Sequence, residues 1–460
     1  MRFNWGIVLL LACATAVVAG PTYSIDEAVR LAGKQNPEIA IARQKLQAAR
    51  GGLIQARSGY LPSVVSTGLA RERQHQANSN LRNEDYNASV RVVENVYTGG
   101  AVSSQVAIAR LNLEKQELEL QALTNRVSMD VRVAFSELLL NRAKVGVREQ
   151  SVNVLQEELT TQQERFTAGT VGQLNVRRAE VTLASEQPEL VDAHTQLKNS
   201  YLRLAELLGT DSRTKDDQSS FEVEGRLGYQ PRHPDLNECL ARADTARPEV
   251  RMREIEVEIE DRQAEVDRSE LRPQVEVFSG YEVYNETDPS LGRDLNYGYV
   301  VGVNARWHIF DGFATKGKLI ATRARREAAL QNLAAARLSV SSDVRSAFLD
   351  LQQADRVLES ETKNVQTADE TLEISKANLN AGLGTQLDIL QAAADVTRTR
   401  TPRLSAIYLH NVAVARLARA CANAPDDLEF PGGNAKARAA RNQSSAAVNV
   451  ARPPRKLSQR

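Results

Sequence analysis

Two hydrophobic rhythms alternate along the chain. The first has period two. In "YGYVVGVNARWHIF", Tyr299, Val301, Val303, Ala305, Trp307 and Ile309 share one side and Gly302, Asn304, Arg306 and His308 the other. "QVEVFSGYEV" repeats it with Val275, Val277, Tyr281 and Val283. A weaker copy sets Tyr86, Ala88, Val90, Val92 and Val96 against Asn87, Ser89, Arg91 and Asn95, with Glu94 interrupting near one end. Such alternation predicts strands with one apolar face, and polar loops at 72–85 and 284–296 separate the members of each pair. The second rhythm has period seven: Val131, Leu138, Val145, Val152, Leu159 and Phe166, then Val344, Leu351, Leu358, Val365, Leu372 and Leu379. A sustained heptad predicts left-handed coiled-coil packing. Residues 101–168 and 314–381 contain no proline and one glycine each, so each predicts one helix of roughly 100 Å. The apolar stripe is thin, which suits a wall with solvent behind it better than a thick core.

Each long helix runs into nearly the same nine letters, "AGTVGQLNV" at 168–176 and "AGLGTQLDI" at 381–389. Gly169 and Gly382 can end a helix in the left-handed conformation, and the few residues after them force an antiparallel return over 173–208 and 385–422. Pro188 and Pro402 fall inside these returning helices and are read as bends or breaks. The doubling extends over the whole chain. "RSGYLPSV" and "RSELRPQV" lie 211 apart, "VYTGG" and "IFDGF" 213 apart. Capping boxes, Ser24-x-x-Glu27 and Asp235-x-x-Glu238, open the two units, with helices expected to about 57 and 270. The organisation is therefore a signal peptide at 1–19, a first repeat at 20–208 with strand pair 63–97, and an equatorial connector at 209–234. A second repeat follows at 235–422 with strand pair 274–310, then a disordered basic tail at 423–460. Cleavage after Ala19 is the first reading of the amino terminus; a lipid anchor on Cys13 is the alternative.

The net charge is zero, 58 basic against 58 acidic residues, which argues against a nucleic-acid partner. The five histidines, His75, His194, His233, His308 and His410, are scattered without a metal or catalytic spacing, so neither an enzyme nor a cofactor or metal site is expected. No stretch beyond the signal reaches the ~20 apolar residues of a membrane helix. Cys239 and Cys421 are either a disulfide, permitted in an exported protein, or two buried free thiols. Of 22 aromatic residues, half lie in 60–97 and 278–313, where an outer-membrane barrel places interfacial girdles.

The doubled order of "NPEI", "LPSV", "RFTAG" and "AGLGTQLDIL" over 24–422 resembles the TolC family of outer-membrane efflux proteins. The resemblance implies an α+β membrane protein. Long antiparallel coiled-coil hairpins would form a periplasmic α-barrel, and four β-strands per chain would contribute to a homotrimeric twelve-stranded outer-membrane β-barrel. Four strands cannot close a barrel alone, so an oligomer is required on physical grounds as well. The resemblance further implies an exit duct for small molecules or polypeptides. Its partners would be a periplasmic adaptor, an inner-membrane pump and outer-membrane lipid. Asn304, Arg306, His308 and Arg91 are expected to face the lumen, and Tyr86, Tyr281, Tyr299 and Trp307 the lipid. Arg165, Phe166, Gly169, Gly172, Gly382 and Gly384 would form hairpin tips that meet the adaptor. Asp388 matches an acid ringing the family's periplasmic aperture, whereas Gln391 and Asn175 replace acids there and Gly384 replaces a basic latch residue. Arg177 or Arg178 is the alternative latch partner for Asp388. A periplasmic adaptor or a structural coiled-coil envelope protein would share the hairpins, but neither accounts for two doubled strand pairs.

Overall fold

The computed structural model describes residues 21–72, 84–210, 221–285 and 295–422. The expected signal segment with Cys13 and the basic tail lie outside these residues. The first unit comprises β1 (Thr22–Tyr23), α1 (Ile25–Gln35), α2 (Pro37–Arg57), β2 (Ser63–Glu72), β3 (Glu84–Tyr97), α3 (Ala101–Thr167) and α4 (Gln173–Leu208). After β4 (Glu222–Val223), the second unit comprises α5 (Leu236–Ala246), α6 (Pro248–Ser269), β5 (Gln274–Tyr284), β6 (Asn296–Arg306), α7 (Ala314–Asn380) and α8 (Gln386–Ala420).

Each opening helix is two helices rather than one. A proline ring disfavours helical geometry in the residue before it, and Asn36 accordingly sits at ψ 127° ahead of Pro37. The break is used. Asn36 Oδ1 accepts from the Glu38 and Ile39 amides at 2.9 and 3.3 Å, and its Nδ2 donates to the Leu207 carbonyl at 2.9 Å. The end of α4 therefore abuts the α1–α2 junction, so α2 and α4 together run alongside the single helix α3. In the second unit Arg247 takes the position before Pro248 without a side-chain cap. Its buried guanidinium pairs with Glu249 and Asp343, both at 3.1 Å. Pro188 and Pro402 lie within continuous helices, α4 and α8, and break neither.

The core is thickest where α1 or α5 inserts beside a hairpin. Ile25, Ala28 and Ala32 pack on Val131, Phe135 and Leu138 of α3 and Leu204 and Leu208 of α4. Cys239, Ala243 and Val250 pack on Val344 and Leu351 of α7 and Val414 and Leu417 of α8. Away from this level the stripe thins, and Phe166 at its far end is exposed. The connector is not simply a loop. β4 pairs in parallel with β1, Thr22 opposite Glu222 and Tyr23 opposite Val223. Beyond it the Gly228 carbonyl accepts from Asn411, and buried His410 bridges Asp355 (2.7 Å) and the Gln230 carbonyl (2.9 Å). The connector thus straps both units.

No helix among the described residues is long and apolar enough to cross a membrane. The strands form one antiparallel sheet in the order β2-β3-β5-β6. Its last pair is Gln274 with Arg306. The expected strand to 310 therefore stops at Arg306, because Pro273 on the neighbouring chain segment has no N–H to continue the ladder. Strands β2 and β6 have free outer edges. Where β6 leads into α7, Phe313 adopts φ 70°, a left-handed conformation that costs a residue other than glycine about 1–2 kcal/mol.

Replacing Asn36 by alanine removes a helix cap and a buried bond to the Leu207 carbonyl together, and should destabilise the fold by about 2–3 kcal/mol. Asp235, an exposed cap that accepts from the Asn237 amide, should cost about 1 kcal/mol when changed to alanine. Thermal melts followed by far-UV circular dichroism should rank Asn36→Ala below Asp235→Ala.

Candidate functional site

Two regions carry the residues of interest, the strand sheet and the hairpin tips. The two faces of the sheet differ in chemistry. On one, Arg91 pairs with Glu282 at 2.9 Å and lies 5.6 Å over the Phe278 ring. Asn304 donates to Glu276 at 2.7 Å, Thr67 and Ser89 share a hydrogen bond of 2.8 Å, and Arg71 pairs with Asp85. Phe278 fits this polar face because Gly302 lies opposite it; a Cβ on Gly302 would collide with the ring. The other face is apolar and open. Tyr299 is 85% exposed, and Tyr86, Tyr281, Val301 and Val303 are exposed with it. Tyr281 stacks on Tyr297 with centroids 6.4 Å apart.

Arg306 ends β6, and Trp307 and His308 lie beyond it, exposed and outside any strand. The Trp307 indole N–H donates to the Leu271 carbonyl at 3.0 Å. The sheet thus brings Arg91 and Asn304 into bonded networks and leaves His308 in solvent.

At the tips, Gly169 and Gly382 hold φ 74° and 73°. Each closes its helix with the same pair of bonds. Thr170 N–H reaches the Arg165 carbonyl and Gly169 N–H the Phe166 carbonyl, both at 2.9 Å; Leu383 reaches Asn378 at 2.8 Å and Gly382 reaches Leu379 at 3.1 Å. A left-handed glycine is what this double closure requires. Gly172 and Gly384 have other duties. Gly172 is the extended residue before α4, and the Gly384 amide donates to the Asn378 carbonyl at 3.2 Å. Phe166, Leu174, Leu383 and Leu387 are all exposed around the tips, Leu383 at 82%.

Asp388 sits three residues into α8 as half of a capping box. Its Oδ2 accepts from the Thr385 amide at 2.7 Å and the Thr385 hydroxyl at 2.8 Å. These two bonds, the backbone one first, hold its carboxyl below the usual aspartate value. The expected pairing with Arg177 is not made: Arg177 binds Glu180 one helical turn on, at 2.7 Å, because a partner on its own helix is reached without crossing the tip. Arg178 and Gln391 are exposed and Asn175 is half-buried; among the described residues none of the three is brought to Asp388 by a hydrogen bond or ion pair.

Polar contacts between the two hairpins were not foreseeable from periodicity. Gln386 of α8 donates to Glu158 of α3, which also accepts from buried Gln162 at 2.7 Å. Thr397 meets Ser151 at 3.3 Å, and Arg400 reaches Gln150 of α3 at 3.0 Å while also pairing with Asp369 of its own hairpin at 3.1 Å. The only sequence signal was a polar residue at a position flanking the apolar stripe. Cys239 and Cys421 are free, not a disulfide, and both are buried. Burial and a hydrogen bond from its partner push the Cys421 thiol upward, so the neutral form is the stable one. They line a cavity of about 260 Å³ with His233, Arg232 and Leu351. No metal-binding group of acidic, histidine or cysteine side chains occurs among the described residues.

Sequence comparison matches residues 28–210 and 240–423 to a family described as outer membrane efflux protein. Nodulation protein T of Rhizobium leguminosarum bv. trifolii is 22% identical over 81% of this chain and 80% of its own length. The cobalt-zinc-cadmium resistance protein CzcC of Cupriavidus metallidurans is 22% identical over 83% of this chain and 85% of its own. Among solved structures, the outer membrane protein VceC of Vibrio cholerae superposes with a TM-score of 0.73 at 17% identity, covering 87% of this chain and 96% of that one.

Because Asp388 titrates below its unfolded value, its cap stabilises α8 above the unfolded pKa, about 3.9. That contribution is lost as pH falls through the lower, folded value. Thr385→Ala should therefore speed hydrogen exchange of the first-turn amides of α8 at neutral pH, and the difference from the parent should shrink as pH falls through that range.

Proposed function

This chain belongs to the outer membrane efflux protein family, and on that footing we propose that three copies build one continuous duct, a barrel in the outer membrane joined to a helical tube in the periplasm. The observation that carries the reading is the four-stranded sheet with an apolar outer face, a polar inner face and two unpaired edges. Open edges are not tolerated in hydrocarbon. Two copies would close an eight-stranded barrel, which its own side chains fill; three give twelve strands and leave a lumen. In that barrel Arg91, Asn304 and Arg306 face the water-filled interior, and Tyr86, Tyr281, Tyr299 and Trp307 contact lipid.

The protein is an outer-membrane exit duct and works with an inner-membrane pump and a periplasmic adaptor; it is a channel, and no catalytic step is assigned to it. The exposed Phe166, Leu174, Leu383 and Leu387 make the tips the surface for the adaptor. The names of its relatives point to different cargo, metal resistance in one and nodulation in another. That diversity fits a duct whose selection is made upstream. Asp388 would place one carboxylate per chain at the periplasmic mouth, with neutral Gln391 one turn further from the tip, and a ring of three carboxylates favours cations.

Detergent-purified protein should migrate as a heat-sensitive trimer and give small, discrete conductance steps in a planar bilayer. Asp388→Asn should lower cation preference and blockade by trivalent cations several-fold. A soluble monomer that never inserts would return the chain to the adaptor reading. Unchanged selectivity in an inserted Asp388→Asn channel would remove Asp388 from the aperture.

A further inference from the structure

The two halves of the chain meet along β3 and β5, and this internal seam is a template for a second one. Residues 57–62, "RSGYLP", correspond to 268–273, "RSELRP"; residues 97–100, "YTGG", correspond to 310–313, "FDGF". At the internal seam β3 continues to Tyr97, pairing Asn95 with Glu276 and, across a bulge, Tyr97 with Val275. The start of α3 then packs on the end of α6. Arg272 donates to the Gly99 carbonyl at 2.8 Å, and a Cβ on Gly99 would stand 2.9 Å from the Ser269 carbonyl oxygen. Gly99 and Gly100 take φ 64° and 94° there.

In the second half the corresponding segment pairs with no strand among the described residues. β6 ends at Arg306, four residues short of the point that β3 reaches. Phe313 stands in the place of Gly100 and keeps its left-handed backbone, at φ 70°. Its ring meets Phe310 edge to face with centroids 5.4 Å apart, yet Phe310 and Phe313 are 72% and 66% exposed. At the opposite free edge, Leu61 stands in the place of Arg272, and both Leu61 and its neighbour Tyr60 are exposed. A glycine and an arginine at the internal seam are thus exchanged, at the corresponding outer positions, for a phenylalanine and a leucine. In the lone chain Phe313 bears a disfavoured backbone and a largely solvated ring, met by Phe310 and by the Lys316 ammonium 5.6 Å from its centroid.

We propose that Phe310 and Phe313 of one copy close over Tyr60 and Leu61 of the next, and that β6 lengthens through residue 310 by pairing with β2 of that copy. This rests on the trimeric assembly proposed above and specifies the contact that joins its members. Carrying Asn95 forward by 213 residues and Glu276 back by 211 sets His308 opposite Val65; Tyr97 and Val275 become Phe310 and Val64. His308, solvated in the single chain, then turns to the inner side of a continuous barrel strand, as Asn95 does. A lipid surface is the competing occupant of the aromatic patch, and the register distinguishes the two.

The test uses the full chain in detergent. Two cysteines in one chain, His308→Cys with Val65→Cys, should give covalent dimers and trimers after mild oxidation on a non-reducing denaturing gel. Single-cysteine chains control for Cys239 and Cys421. Moving one partner along the strand, His308→Cys with Thr67→Cys, should cross-link roughly fivefold less, since a disulfide spans only adjacent positions. Phe313→Gly relieves the backbone of its side chain, so the chain should still fold, but its trimer should dissociate at a lower temperature than the parent. Preferential cross-linking of the shifted pair, no cross-linking within an intact trimer, or a Phe313→Gly trimer of equal or greater heat resistance would each overturn the seam. Absence of a trimer from the unmodified chain would overturn the assembly itself, and is read in the unoxidised lane.

Discussion

Every backbone N–H and C=O in the hydrocarbon layer must find a partner inside the protein, and this sheet satisfies that demand for all but its two outer rows. Strands β2 and β6 cannot be buried, folded over or hydrated in lipid. The remainder of the architecture follows from that shortage. Closing the edges requires further copies, and further copies bring further hairpins, since each strand pair is joined to one. Once the strands close a ring, the hairpins stand side by side below it. The duplicated chain makes the solution economical, because the β3–β5 contact already solves, inside one molecule, the packing problem that its free edges pose.

The helical part obeys a different balance. Within a hairpin the contacts are apolar, as with Leu155 and Leu159 against Val176, Ala179 and Leu183. Between hairpins near the tips, the polar pairs Glu158 with Gln386 and Ser151 with Thr397 lie beside the packing of partly buried Leu390 on this same cluster. Water competes well for such polar pairs and poorly for the apolar ones. Each hairpin is therefore a stiff strut, and neighbouring struts are held near the tips in part by bonds that exchange with solvent at small net cost. Rigidity is concentrated at the level where α1 and α5 insert, where the connector strap and the His410–Asp355 contact add a further layer.

Much of this was legible in the residues, and for identifiable reasons. Period two and period seven report which face of an element is buried, and the glycines at 169 and 382 report where the chain turns. An offset of 211 to 214 residues reports the duplication. None of these signals names a partner across space. Asn36 was visible as a residue before a proline, but not its bond to Leu207, 171 positions away. Asp388 was visible as an acid near a tip. Its engagement by Thr385 follows from local helix chemistry, whereas the expected arginine partner did not. The connector read as polar linker because two-residue strands are too short to show alternation. In the single chain β6 ends at Arg306 although the next four residues keep the alternation, since a strand exists only where another strand accepts it.

The pairing of Thr22–Tyr23 with Glu222–Val223 joins segments 200 residues apart. Phe221 seals the join between Tyr23 and Tyr201, with ring centroids 5.7 and 5.8 Å away. A chain threaded across the inner membrane from its amino terminus emerges in order. The edge of β1 and the apolar face of α1 therefore wait, uncovered, until the whole first hairpin and part of the connector have arrived. Long-range closure of this kind is slow, and waiting strand edges are prone to misassociate. The first repeat thus becomes a finished unit only once the connector strand β4 has followed it.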